Sequence, residues 1–301
     1  MFPITNESPL ANEPAFGLKS HEMVLGVKVV PLVFGMARFS ATGPQNPETG
    51  LFPASHVNDA AEQALLHDAI AQGYNFFDTA QAYGDSEFML GRVLKDYSRK
   101  NFIVATKVGI RPDPDIRGSI RQSVDRLGTV PDILFVHNRW QGQMEQEMDN
   151  CLAALDEAVD QGYAREIGIS NFQPHELEMA ISKLRHKPLF YQAKLNLVNP
   201  RKDATDTLAI CEKNGVTFMA SSALDRGGVT GDTLNPVVLD VAKKYNMSPA
   251  QVAIFAVRSL GSLPLVQTHN LTHLKENLDT LSFSMKQTDI DNLKNILLRK
   301  V

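Results

Sequence analysis

The 301-residue chain has two cysteines, one tryptophan, no cluster of lysine and arginine, and no apolar stretch long enough to cross a bilayer. Each shortage excludes something. Cys151 and Cys211 lie far apart, match no metal-ligand spacing and fall in helix-like segments, so they read as small buried hydrophobes. That usage suits a reducing cytoplasm, the expected location. With 30 basic and 34 acidic residues and a net charge of −4, the chain lacks the basic footprint that phosphate backbones demand, and nucleic acid is not an expected partner. The longest apolar stretch, Met23 to Met36, is interrupted by Lys28 and Pro31 and is too short for a transmembrane helix. The first residues, MFPITNESPLANEPAF, offer neither the basic nor the apolar region of a signal peptide, and no membrane association is expected.

What is present is an alternation. Residues 1–20 carry Pro3, Pro9 and Pro14 among polar neighbours and read as an irregular or hairpin extension outside the main domain. From residue 21 to 301, short apolar runs recur: VVPLVF, NFFDT, FIVAT, DILFVH, EIGIS, LFYQA, VTFMA and LPLVQ. Most are separated by stretches of helical periodicity. Ala61, Leu65, Leu66 and Ile70 share one face ahead of Gly73, and Leu152, Leu155, Ala158 and Val159 do so ahead of Gly162. Gln173-Pro174 and Ser248-Pro249 set proline in a first helical turn. Eight strand-like runs alternating with helices, without a break in composition, predict an α/β fold: one (β/α)₈ TIM barrel ending in a C-terminal helix. A doubly wound sheet is the alternative, weakened because the one Gly-rich turn, LDRGGVTG, comes late and is not G-x-G-x-x-G. The polar connection from Ala37 to Ser55 is long enough to be a substrate lid.

Several apolar runs end in a residue capable of chemistry: Asp78, Lys107, His137, Ser170 with Asn171, Gln192 and Ser221. In a (β/α)₈ barrel the carboxyl ends of the strands converge on one face, where active sites sit, so residues far apart in sequence become neighbours. Tyr83, five residues after Asp78, belongs with them. A free phenol has a pKa of about 10 and is a poor acid at neutral pH, but an ammonium roughly 4–6 Å away favours its anion. Lys107 is placed to supply that charge, Asp78 to hold Lys107, and His137 to orient a carbonyl or relay a proton. A barrel metal hydrolase would need several more His or carboxylate ligands at strand ends, and no metal is expected.

The segment GYNFFDTAQAYGDSEFMLGRVL resembles the signature of the aldo-keto reductases around their catalytic aspartate and tyrosine. ATKVG is similar to that family's lysine strand, and SVDRLGTVPDILFVHN to its helix and histidine strand; EIGISNF and HNLTHLKEN also correspond. The likeness runs from about Val29 to Asn277. It implies hydride transfer between NAD(P)H and a small-molecule carbonyl or alcohol, with Asp78, Tyr83, Lys107 and His137 as the catalytic tetrad. It also implies that Ser170, Asn171 and Gln192 hold the nicotinamide carboxamide and that the loop from Leu224 through Gly228 to Gly231 follows the pyrophosphate. Some proteins similar to this family are cofactor-sensing regulatory subunits, a second class of function that the tetrad alone does not exclude.

Two departures stand out. Where the family often stacks a tyrosine on the nicotinamide, this chain has Ser221. Where it usually offers lysine or arginine to the adenosine 2′-phosphate, this chain has Gln267, Thr268 and His273, with Glu276 and Asn277 retained. The lack of a permanent cation there leaves NADH, or use of both cofactors, open; His269 and Arg226 are the nearby groups able to compensate.

Overall fold

The computed structural model describes residues 23–39, 46, 51–53, 59–109, 113–138, 145–230 and 234–299. The expected N-terminal extension, most of the polar connection from Ala37 to Ser55, and Trp140 lie outside them.

All eight apolar runs contribute a barrel strand. After an antiparallel hairpin of β1 (Met23–Val24) and β2 (Val27–Lys28) come β3 (Val33–Gly35), β4 (Phe76–Asp78), β5 (Ile103–Val108), β6 (Ile133–Val136), β7 (Glu166–Ser170), β8 (Phe190–Lys194), β9 (Thr217–Ser221) and β10 (Leu263–Val266). β3 to β10 are parallel, pair in chain order, and close through β10 against β3. The barrel is the expected TIM type. In the first run only the last residues join the sheet, since Pro31 has no N–H to give a ladder and β3 starts at Val33.

The helices are α1 (Ala60–Gln72), α2 (Ser86–Leu94), α3 (Ile116–Leu127), α4 (Glu145–Asp160), α5 (Pro174–Lys183), α6 (Ala204–Asn214), α7 (Pro236–Tyr245), α8 (Pro249–Ser259), α9 (Leu271–Asp279) and α10 (Gln287–Leu297). Their ends follow the chain's punctuation. Asp59 accepts from the Ala61 and Glu62 N–H groups to start α1, and Gly73, at φ 112°, ends it in a conformation that costs a glycine little. Ser248 and Gln251 form a capping box around Pro249. Two helices, α7 and α8, separate β9 from β10 where the alternation alone suggested one. Among the described residues no helix is long and apolar enough to cross a membrane.

Opposite the face that carries chemistry, the hairpin stops the barrel. Val24 and Val27 pack with Phe76, Phe135, Phe190 and Met219 in one buried cluster. A Cβ on Gly168 of β7 would strike the Phe135 ring, so glycine is what lets these strands share the lumen. The buried carboxylate of Asp132, just before β6, fastens this end. It accepts from Arg99 at 2.6 Å, Arg165 at 2.8 Å and the Val104 N–H at 2.7 Å, while Arg165 also reaches the Leu25 carbonyl of the hairpin turn. Asp132→Ala leaves a buried N–H without a partner and takes the carboxylate from both arginines, which keep only their bonds to neighbouring carbonyls and Thr129. Because those arginines are partly exposed and can rehydrate, the expected loss is near the low end for a broken buried pair, about 3 kcal/mol. Urea midpoints would check this, and a change below about 1 kcal/mol would show that the clasp is dispensable.

Candidate active site

The strand ends meet as the sequence pattern requires. Asp78 is the last residue of β4, Lys107 is the penultimate residue of β5, and His137 directly follows β6. Lys107 is wholly buried, and its ammonium donates to Asp78 Oδ2 at 2.6 Å and to the Thr79 carbonyl at 2.9 Å. It lies 4.9 Å from the centroid of the Tyr83 ring, which meets the His137 ring edge to face at 5.5 Å. Tyr83 is carried by the short turn between β4 and α2, and its N–H bonds back to the Ala80 carbonyl. The four residues read from the sequence thus form one cluster.

Charge and burial act on these groups in definite directions. Burial pushes the Lys107 ammonium toward neutrality, but the charge and hydrogen bonding of Asp78 and Tyr83 outweigh it, and the net displacement is upward. Lys107 therefore stays charged. His137 goes the other way. Burial, seconded by the Lys107 charge, holds its imidazole well below the ordinary histidine range, so the ring is neutral in neutral solution.

The residues expected to grip a cofactor fall into two groups. In the first, Ser170 ends β7, and Asn171 follows it at φ 63°, its amide nitrogen donating to the His137 carbonyl at 3.0 Å and to Asn138 Oδ1 at 2.8 Å. That nitrogen is spent inside the protein, which leaves the Asn171 carbonyl oxygen as its offer to a ligand. Gln192, on β8, directs its amide nitrogen at Asp78 Oδ1, 2.9 Å away. Ser221 ends β9; beyond it, Leu224 packs into the core and Gly228 sits in a short 3₁₀ turn from Asp225 to Thr230.

The second group lies at β10 and the start of α9. Thr268 accepts from the Asn270 N–H at 3.0 Å and faces His273 Nδ1 at 3.3 Å, with His273 exposed on the first turn. The Glu276 carbonyl takes a bond from Gln251, and Asn277 is buried. His269 is not turned toward this group's polar atoms: its ring stacks on Phe39 at 4.7 Å and its Nε2 meets Glu62 at 3.2 Å. Among the described residues of the tetrad and the second group, buried polar atoms without a hydrogen-bond partner occur at His137 Nδ1 and Gln267 Nε2. Orphaned atoms of this kind are rare in folded interiors.

Sequence reasoning missed three features. Phe52 forms a bridge to Tyr83, its N–H bonded to the Ala82 carbonyl at 2.9 Å and its ring 6.0 Å from the Tyr83 ring. Its apolar pair with Leu51, late in a mostly polar connection, was the available signal. Asp225 is clasped by Lys194 at 2.9 Å and by Asn199 at 2.9 Å; against the upward push of burial these bonds hold its carboxyl below the usual range. The clasp ties the turn after β9 to β8. The third feature is the Gln192–Asp78 bond itself.

Comparison with known proteins agrees with the geometry. The sequence model of the Aldo/keto reductase family matches residues 31–298. A glyoxal reductase of Bacillus subtilis is 27% identical over 248 residues, covering 81% of this chain and 86% of that protein. An aldo-keto reductase of Mycolicibacterium smegmatis is 27% identical over 260 residues, covering 84% and 90%. Among solved structures, a thermostable aldo-keto reductase in complex with the inhibitor epalrestat superposes with a TM-score of 0.79 at 27% identity, over 90% of this chain and 97% of that one.

Proposed function

The chain belongs to the aldo/keto reductase family, and on that premise we propose that it interconverts a small aldehyde, ketone or sugar carbonyl with its alcohol, using a nicotinamide cofactor. The observation that carries this reading is a fully buried lysine locked onto Asp78, set against a tyrosine ring that also abuts a neutral histidine. The residues present fit the cofactor. The unpartnered His137 Nδ1 and the free Asn171 carbonyl suit a carboxamide, and the unpartnered Gln267 Nε2 suits a ribose hydroxyl.

The bound cofactor supplies or accepts the hydride. The protein supplies the proton and the orientation. Tyr83 protonates the developing alkoxide in reduction, or takes the proton in oxidation. Lys107, charged and fixed at two acceptors, stabilises the phenolate that results. Asp78 keeps Lys107 in place. A neutral His137 can donate a hydrogen bond to the carbonyl oxygen without competing as an acid. Phe52, against Tyr83, forms part of the wall where the substrate's substituent rests. Turnover with a panel of small aldehydes, headed by the dicarbonyl that names the Bacillus relative, tests the class. No oxidation of NADH or NADPH by any member of the panel would count against it.

On cofactor choice, the reading is use of both cofactors or a lean toward NADH. Gln267, Thr268 and His273 offer no permanent cation, and His269 is engaged by Phe39 and Glu62. A 2′-phosphate gains roughly 1.5–3 kcal/mol from each charge-assisted donor, so the lack of one relaxes a preference for NADPH on the order of tenfold or more. His273→Arg, at the exposed first turn of α9, is expected to move relative affinity toward NADPH by about tenfold. Equilibrium binding at fixed salt decides it, and a wild-type preference for NADPH of about a hundredfold or more would overturn the reading.

A further inference from the structure

We propose that Gln192 is a positioning residue: its amide spans the barrel lumen to fix the Asp78 carboxylate, and through it Lys107 and Tyr83. This rests on the oxidoreductase reading and adds a second task to the carboxamide contact expected of Gln192. In the closed strand order, β4 and β8 stand on opposite sides of the barrel. Gln192 reaches across from β8 and donates to Asp78 Oδ1 at 2.9 Å, while Lys107 of β5 donates to Oδ2 at 2.6 Å. Both carboxylate oxygens are therefore held, from different directions, and the carboxylate cannot turn without breaking one charge-assisted bond.

The amide is itself oriented. Flipped, it would set its oxygen against a carboxylate oxygen, which is repulsive; as placed, its nitrogen also rests 2.9 Å from Met219 Sδ of β9. Gln192 and Asp78 are both nearly inaccessible, at 4% and 2% exposure, so water does not replace a lost donor. Among the described residues, the charged group bonded to Asp78 is Lys107 from β5, which lies against the Tyr83 ring of the β4–α2 turn; that ring in turn meets His137 after β6. From β8 and β9 the bonds that lead to this carboxylate run through the neutral Gln192 and, behind it, Met219. Removing the neutral donor leaves Asp78 less satisfied as an anion. It then grips Lys107 less reliably, and Tyr83 loses the fixed cation beside it.

Gln192→Met keeps the length and removes the donor. Gln192→Glu keeps the shape and donates only when protonated. Both are to be compared with wild type for cofactor affinity, for kcat against pH at saturation, and for the Tyr83 phenolate midpoint. The last is read by ultraviolet difference titration with Tyr83→Phe subtracted. Gln192→Met is expected to lower kcat about tenfold or more and to raise the phenolate midpoint. Gln192→Glu is expected to be poor at high pH and to recover as the pH falls and the new carboxyl becomes a donor. If both variants keep the wild-type kcat, pH profile and phenolate midpoint while only cofactor affinity falls, Gln192 is a ligand clamp and the proposal is wrong. Should Gln192→Met fail to fold, the isosteric Gln192→Glu decides alone. The phenolate titration needs no substrate, so failure of the oxidoreductase reading would show as absent wild-type turnover with the coupling still measurable.

Discussion

Replacing Tyr83 by phenylalanine is expected to lower turnover by about 10²-fold or more while nicotinamide affinity stays within about twofold of wild type. The substitution removes one oxygen and leaves the ring between Phe52, His137 and Lys107, so the walls of the site stand. What disappears is the proton donor for the developing alkoxide. His137 does not replace it, because burial and the neighbouring ammonium keep its ring neutral and short of an acidic proton. A loss confined to KM, with kcat preserved, would mean that Tyr83 binds substrate and that another group transfers the proton.

The second large effect is expected at Lys107. Lys107→Met retains the length of the side chain in a site with no solvent exposure, and removes the only cation bonded to Asp78 among the described residues. Two consequences follow. The Tyr83 phenolate loses its stabilising charge, so its limb in the pH–rate profile moves to higher pH and kcat falls on the order of 10²-fold. The buried carboxylate of Asp78 is left with the neutral Gln192 donor, which costs stability on the order of 3 kcal/mol unless Asp78 takes up a proton. Wild type and variant alike should show no limb near the ordinary histidine value of about 6.5, since His137 titrates well below it. A Lys107→Met enzyme with unchanged kcat, pH profile and denaturant midpoint would contradict the assignment.

The barrel was legible because parallel strands buried on both faces read as uninterrupted apolar runs, and each of the eight runs is a strand. The gathering of Asp78, Tyr83, Lys107 and His137 was legible for a topological reason: once the barrel closes, strand ends about 30 residues apart become neighbours. Contacts between residues far apart in sequence were not. Nothing in local spacing says that Gln192 turns from β8 to Asp78, 114 residues away, or that Lys194 clasps Asp225. A hairpin near the N-terminus was read, but its place at Met23–Lys28 as the barrel's stopper was not, because Val24 and Val27 lie in two-residue strands, too short to show periodicity. The pair α7 and α8 was hidden because two helices joined by a short turn leave the strand count unchanged.

Transfer of label tests the central claim most directly. Incubating the protein with NADH or NADPH carrying deuterium at the transferring carbon, together with a small aldehyde, should give an alcohol with one deuterium on the former carbonyl carbon. The same mixture with Tyr83→Phe should give about 10²-fold less of it. An unlabelled product, or product formed equally by both proteins, would contradict hydride transfer assisted by Tyr83.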